Sequence, residues 1–425
     1  MNRSIAPEVY NFGPLTLSPA KSYRLPNGIN VHIESGSEIE VSRLTVALPG
    51  GEAESPKPGL AACAGMVLIE GTTRQNGEEI ANMLEYNGAW VNTSVSTHYT
   101  SVTLSSLNDR FDNLLPVLAE MILTPTFPQE ATAKILQRQA SRIEIEHEKV
   151  SVIADEAIRP LAFGRENPLA RSENAVEIRS ITSEELSTFH YSRLDPKDIH
   201  IFFSGNITEG MVESLNKIFS RFPARKGIEI ETIDFDPIAS GEMRTDIIRE
   251  HAQQSAVKIM IPAVGRSSAD FVPLRLAVMA LGGYFGSRLM LNIREDKGLT
   301  YGISAVLLGY SRQSFITITT QTDSSTKEEV IRLICDELEK MKDPASYTDD
   351  EIRRLSKFQL SNLATILDTP FSRMDYMQTH VFANTPDDYF EQQERLARTL
   401  TPEILAQMAR KYFDQSRMII ATAGN

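Results

Sequence analysis

The chain has only two cysteines, Cys63 and Cys335, far apart in sequence. That excludes a disulfide framework and an all-cysteine metal cluster, and leaves each to be read as a buried, reduced thiol. Its seven histidines are His32, His98, His147, His190, His200, His251 and His380, and no two have the spacing that puts both imidazoles on one helix face as metal ligands. Long apolar runs are missing as well. Met1 to Asn27 carries polar residues and prolines where a secretory signal has its apolar core, and no stretch is apolar enough to span a bilayer. Cytoplasm is therefore the expected location. There is no excess of basic residues: Lys and Arg number 43 against 56 Asp and Glu, a net charge of −13 spread along the chain. Nucleic acid and anionic membrane are thereby excluded as main partners. The same charge suits solubility, and suits a chamber that attracts basic peptides.

What is present is a soluble globular composition, 41% apolar and 23% charged, in 425 residues, too many for one ordinary domain. The chain repeats itself. Thr182-Ser-Glu-Glu-Leu leads through Phe189-His-Tyr into the strand-like Asp198-Ile-His-Ile-Phe-Phe-Ser-Gly-Asn206. Thr401-Pro-Glu-Ile-Leu leads through Met408-Ala-Arg into Arg417-Met-Ile-Ile-Ala-Thr-Ala-Gly-Asn425, with no gap between the two registers. Thr182 and Thr401 read as helix N-caps with an acidic residue in the first turn. Upstream, Phe127-Pro-Gln-Glu and Tyr347-Thr-Asp-Asp stand almost the same distance apart, and each opens a long helical pattern. Two halves of roughly equal length follow, residues 1–227 and 228–425, with linker candidates at Pro223–Gly227 and Pro237–Gly241.

Within the first half, Asn27-Gly28 permits positive φ between two alternating segments, a hairpin signal. Val41 to Leu48 reads as a strand. Gly59 to Ile69 reads as a helix apolar nearly all round, hence central. Glu78 to Tyr86 is a further helix, ended at Asn87-Gly88. Trp90 to Leu107 reads as paired strands, and Arg110 to Leu123 as a helix. Helices following strands in blocks predict an α+β class, two homologous α/β-sandwich halves.

Pro49-Gly-Gly-Glu-Ala-Glu-Ser-Pro-Lys-Pro-Gly-Leu-Ala61, followed by Glu70-Gly71-Thr72, resembles the inverted zinc metallopeptidases of the insulinase/pitrilysin type, which include the mitochondrial processing peptidase. The resemblance covers the chain from about Tyr23 onward and implies a clam-like half shell. The family places H-x-x-E-H between such a Gly-Leu-Ala and such a Gly-Thr: two histidines that chelate zinc and a glutamate that polarises water. In this sequence those positions hold Ala62, Gly65 and Met66. None binds zinc or moves a proton. A third ligand, a glutamate, comes in the family from a later helix, and Glu144 or Glu146 lies near that position, in Arg142-Ile-Glu-Ile-Glu-His-Glu148. One carboxylate without its histidines is no zinc site, so this chain is expected to hold no metal. Glu144, His147 and Glu148 read together as a solvated charged face.

The second half keeps another piece. Leu281-Gly-Gly-Tyr-Phe-Gly-Ser-Arg-Leu-Met-Leu-Asn-Ile-Arg-Glu-Asp-Lys-Gly-Leu-Thr-Tyr301 is similar to the family's C-terminal signature, in which an arginine and a tyrosine act as a pair. Here these are Arg294 and Tyr301. The resemblance implies that they face a zinc site when two halves close, binding the substrate carbonyl and the charge that develops on it, a role a guanidinium and a phenol can fill. Gly282, Gly283 and Gly286 do not have the spacing of a nucleotide loop. They suit a close backbone approach, and in some relatives a glycine-rich loop of a non-catalytic subunit touches substrate, which makes them substrate-binding candidates. Gly88 to Thr100 resembles the family's edge strand, which receives peptide as an added strand, but Thr93 stands where alanine is usual and Val95 where threonine is usual.

The expected function is that of a zinc-free subunit, inactive alone, that completes the active site of a zinc-bearing partner of the same family acting on peptides. The rival readings are a structural homologue like the core proteins of a respiratory complex, a peptide-binding module, and a self-sufficient hydrolase with another metal site. A homodimer of the isolated chain is a further possibility that exposed half-shell rims would favour.

Overall fold

The computed structural model describes residues 12–223, 243–310 and 312–425. Both linker candidates from Ala224 on, and the boundary at residue 227, lie outside them. In chain order come β1 (Lys21–Arg24), β2 (Asn30–Ser35), β3 (Val41–Pro49), α1 (Leu60–Val67), α2 (Gly77–Tyr86), β4 (Trp90–Val95) and β5 (Tyr99–Leu107). Then follow α3 (Asn108–Leu123), α4 (Gln129–Glu146), α5 (Val150–Phe163), α6 (Ala175–Ser180), α7 (Ser183–Ser192), β6 (His200–Gly205) and α8 (Glu209–Phe219). The later part has β7 (Arg244–Ile248), β8 (Gln254–Val264), α9 (Phe271–Gly282), a π-helical turn at Met290–Asp296, β9 (Thr300–Gly309) and β10 (Gln313–Asp323). It ends with α10 (Lys327–Lys340), α11 (Asp349–Leu367), α12 (Pro370–Ala383), α13 (Tyr389–Arg398), α14 (Pro402–Tyr412) and β11 (Ile419–Gly424).

The strands form two sheets of one design. Their orders are β1-β2-β6-β3-β5-β4 and β7-β11-β8-β10-β9. In each, the strand that ends the repeat pairs parallel with one neighbour (β6 with β2, β11 with β7) and antiparallel with the other. The fold is α+β in two sheet-and-helix halves, as the sequence predicts.

Alternation along the strands gives each sheet two apolar faces. Val46, Leu48, Ile201 and Phe203 pack into the helical layer of the first sheet, with α1, α3, α4 and α7. Ala47 and Phe202, one residue out of phase, point the other way and meet Met374 of α12. The second sheet does the same: Val257, Ile259, Ile316 and Ile318 face α9, α10 and α14, while Met260, Phe315, Ile419 and Ala421 face Ile158, Leu161 and Phe163 of α5. Each half thus lends one helix to the far face of the other's sheet. Burying a large apolar side chain of this kind is worth roughly 1.5–3 kcal/mol, so the exchange ties the halves together.

The helix starts follow their caps. Thr182 accepts from the Glu185 N–H, and the Glu185 carboxylate accepts from the Thr182 N–H, a reciprocal box. Thr401 differs from expectation, because its side chain caps no N–H of α14. Pro402 at the first helical position removes one orphan donor, and the Thr401 hydroxyl bonds to the Glu403 side chain instead. Among the described residues no helix is long and apolar enough to cross a membrane.

Candidate functional site

Gly59 takes φ 75° and starts α1, a helix of eight residues buried along most of its length. It packs against α4, α7, β4 and β5. Gly65 faces the strands: a Cβ there would stand 3.3 Å from Thr100 Cγ2 and 3.7 Å from Thr93 Cβ. Thr93, one of the two departures in the edge strand, therefore sits against the position where the family has its glutamate. Met66 faces α4, where its sulfur accepts from Gln139 Nε2 at 3.0 Å. Arg142 Nε donates to Gln139 Oε1 at 2.8 Å and its Nη2 to Glu173 at 3.1 Å. Ala62 is half-buried and contributes a methyl group.

The donor set does not fit zinc. Methionine, alanine and glycine supply neither imidazole nor carboxylate, and the polar group that reaches Met66 is a neutral amide already bound to a guanidinium. Glu144 pairs with Arg179 at 2.8 Å and Glu146 with Lys149 at 2.6 Å. It is Gln139, one to two turns earlier on α4, that meets α1. His147 is no part of a continuous helical face either: it caps α4 and bonds to Glu156 of α5 at 3.0 Å. Cys63, beside Glu52 and Glu173, has its thiol pushed up to about 12, by burial first and by the two carboxylates second. Such a thiol is inert as nucleophile and as ligand. Among the described residues no three His, Cys, Asp or Glu side chains are grouped to hold a metal ion.

The second half builds a different surface. Gly282 ends α9 where the helix touches β9: a Cβ would lie 2.6 Å from the backbone nitrogen of Ala305. At Gly283 it would lie 2.6 Å from Met279 Cα, and at Gly286 2.8 Å from the Tyr284 ring. Gly282 and Gly283 therefore stand in close backbone packing, and Gly286 lies against a ring of its own loop. Arg288, in the same signature, is a half-buried residue of the frame, donating to both oxygens of Glu351 at 2.7 and 3.0 Å and stacking on Tyr347 at 4.1 Å.

Arg294 is placed otherwise. It lies in the π-helical turn, over the exposed ring of Phe285 at 5.1 Å and paired with Glu295 at 2.6 Å. Gly298, at φ 65°, donates to the Arg294 carbonyl and Leu299 to that of Ile293, so the chain reverses and enters β9. Tyr301 follows at the start of this edge strand with 90% of its surface exposed. β9 packs on the turn that carries Arg294, which puts the two residues on adjoining segments. A tyrosine so exposed has no packing role in its own chain, and the phenol and guanidinium are hydrogen-bond donors turned outward.

A family profile described as "Insulinase (Peptidase family M16)" matches residues 31–172, and one described as "Peptidase M16 inactive domain" matches residues 180–357. The chain is 22% identical over 360 residues to "Uncharacterized zinc protease YmxG" of Bacillus subtilis, covering 83% of this chain and 86% of that protein. It is 22% identical over 370 residues to "Non-peptidase homolog YmxG" of Helicobacter pylori, covering 84% and 83%. Two solved structures share the fold: a peptidase M16 inactive domain from Pseudomonas fluorescens, with TM-score 0.84, 23% identity and 95% and 98% of the two chains covered, and a protease from Helicobacter pylori, with TM-score 0.85, 16% identity and 96% and 100% covered.

Proposed function

Because this chain belongs to the M16 peptidase family, as a member whose zinc-motif positions hold Ala62, Gly65 and Met66, we propose that it is the zinc-free subunit of a heterodimeric peptidase of the cytoplasm. Its partner is a second M16 chain that carries the zinc, and the substrates are peptides enclosed between the two. Arg294 and Tyr301 donate to the carbonyl oxygen of the bond to be cut and to the charge that grows on it. The observation that carries this reading is the 90% exposure of Tyr301 beside an arginine that is also turned to the surface. Preorganised donors of this kind act only where water is excluded, and a second half shell closing over them supplies that condition.

The test is peptide hydrolysis by this chain, by a zinc-bearing M16 chain, and by the mixture. Activity is expected only in the mixture, and Arg294→Ala is expected to lower it about 10²- to 10³-fold, the loss typical of one oxyanion donor. A partner equally active with and without this chain would make it a scaffold or a peptide-binding module. Hydrolysis by this chain alone would overturn the reading of α1.

A further inference from the structure

Beneath α12, on the far face of the first sheet, three polar side chains from three strands line up, and neither α1 nor the Arg294 surface involves them. Ser22 Oγ of β1 lies 2.9 Å from His32 Nδ1 of β2, and His32 Nε2 lies 3.2 Å from His200 Nδ1 of β6. The imidazole planes differ by 7° while the ring centres are 5.5 Å apart. Rings in that relation, with facing nitrogens at 3.2 Å, meet edge to edge in nearly one plane, as an N–H···N bond requires. His32 is 8% exposed and lies flat on Phe202 at 4.9 Å, so its orientation is locked, whereas Ser22 is open to solvent.

Tyr99 of β5 and Phe382 of α12 meet His200 edge-on at 6.0 and 6.3 Å, and Met374, Met377 and Val381 of α12 complete an apolar roof. Arg24, two residues beyond Ser22 on the same face of β1, bonds to Asn30, and its charge reaches His200. Asp198 and Glu54 are the carboxylates whose charges reach Tyr99. Burial holds both imidazoles down at about 4, so both are neutral near pH 7.

We propose that Ser22, His32 and His200 form a nucleophilic relay that takes the acyl group of activated carboxylic esters. With its proton on Nε2, donated to His200, His32 presents a bare Nδ1 to the Ser22 hydroxyl. Ser22 Oγ bonds to the ester carbonyl carbon while its proton passes to Nδ1. Arg24 supplies a cation for the oxyanion. Collapse breaks the bond to the leaving oxygen, which takes the proton from Nδ1 and departs as an alcohol. The product is an O-acyl serine and neutral His32. His200 is a positioning residue, because it reaches Ser22 only through His32.

The test uses the full chain without any partner, treated with p-nitrophenyl acetate and separately with a fluorophosphonate, the adduct being located by mass spectrometry. The adduct is expected at Ser22, forming about 10²-fold faster than at other exposed serines, at a rate nearly flat between about pH 6 and 8. Ser22→Ala, at an exposed site, keeps the fold and loses the adduct. His200→Gln, whose amide oxygen accepts the same N–H, keeps most of the rate, whereas His200→Leu lowers it about tenfold or more. Labelling spread over many serines, or a rate that rises about tenfold per pH unit as hydroxide-driven acylation does, would overturn the proposal.

Discussion

The two exchanged helices, α5 and α12, hold corresponding places in the repeat and cross to opposite sheets, yet they are seated differently. α5 buries Ala154, Ile158, Leu161, Ala162 and Phe163, and its Asp155 bridges Lys258 of β8 and Arg159 on its own next turn. α12 buries only Pro370 and Met374. Its early residues are held by Arg373 with Glu34 at 2.6 Å and Asp375 with Arg43 at 2.5 Å, and among its later ones Phe382 meets the His200 ring edge-on. One crossing is therefore held mainly by apolar burial, and the other leans on polar contacts above a buried titratable pair. A repeat fixes position in the fold without fixing how firmly that position is held.

The largest expected break in this comparison is Phe163→Ala, which empties a buried ring site facing Phe315 and costs about 4 kcal/mol, against about 2.5 kcal/mol for Met374→Ala. Urea unfolding followed by amide exchange checks both. The first should loosen β8 and β11, the second β2 and β6. Equal losses, or loosening of the same strands, would mean that the two crossings do not differ as described.

Acid sharpens the contrast by setting two windows. His32 and His200 have folded values of about 4, below the ordinary value of 6.5. The unfolded chain then binds more protons between about pH 6.5 and 4, and stability falls across that range as pH drops. At Asp155, burial alone would raise the carboxyl, but Arg159 and Lys258 outweigh it and hold it below its usual range. Its contribution is present above the unfolded carboxylate value and is lost only as pH falls below about 4. The α12 side is thus expected to open first on acidification, measured by exchange at α12, β2 and β6. Simultaneous opening of both sides would contradict the two windows.

The smallest expected effect compares α1 with α9. Gly282→Ala drives a methyl group into the β9 backbone and should cost about 2 kcal/mol. Gly65→Ala is tight only against Thr100, at 3.3 Å, with Thr93 at ordinary contact distance, and the gain in helix propensity, roughly 1 kcal/mol, offsets the squeeze, so a change within about 0.5 kcal/mol is expected. Thermal unfolding decides between them, and a large loss at Gly65 would show that α1 is packed as tightly as α9.

Much of this molecule could be read from one sequence. The Gly-Asn endings after helix and strand gave the repeat, and the alternation of Val41 to Leu48 and Trp90 to Leu107 gave strands that the structure contains as β3, β4 and β5. The register between Gly59-Leu-Ala and Gly71-Thr placed Ala62, Gly65 and Met66 on one helix without any coordinates. Other features were not legible. Gln139 carries no motif, and only the packing of α4 on α1 brings it to Met66. Arg288 and Arg294 lie in one signature, and nothing in their spacing tells which is paired with Glu351 and which is turned outward. Ser22, His32 and His200 are ordinary residues until pairing of β1 with β2 and of β2 with β6 puts them in line.

By itself the sequence determined what each half is made of: its strands and helices, its repeat, and the loss of zinc-binding side chains from α1. Those properties are local, carried by residue type and by periods of two and of about three and a half. The tertiary structure decided the exchange of α5 and α12 between sheets, the outward setting of Tyr301, and the alignment of the imidazoles. Each of these depends on groups far apart in the chain meeting in a packed interior, where burial and contact distance, rather than residue type, set what a side chain can do.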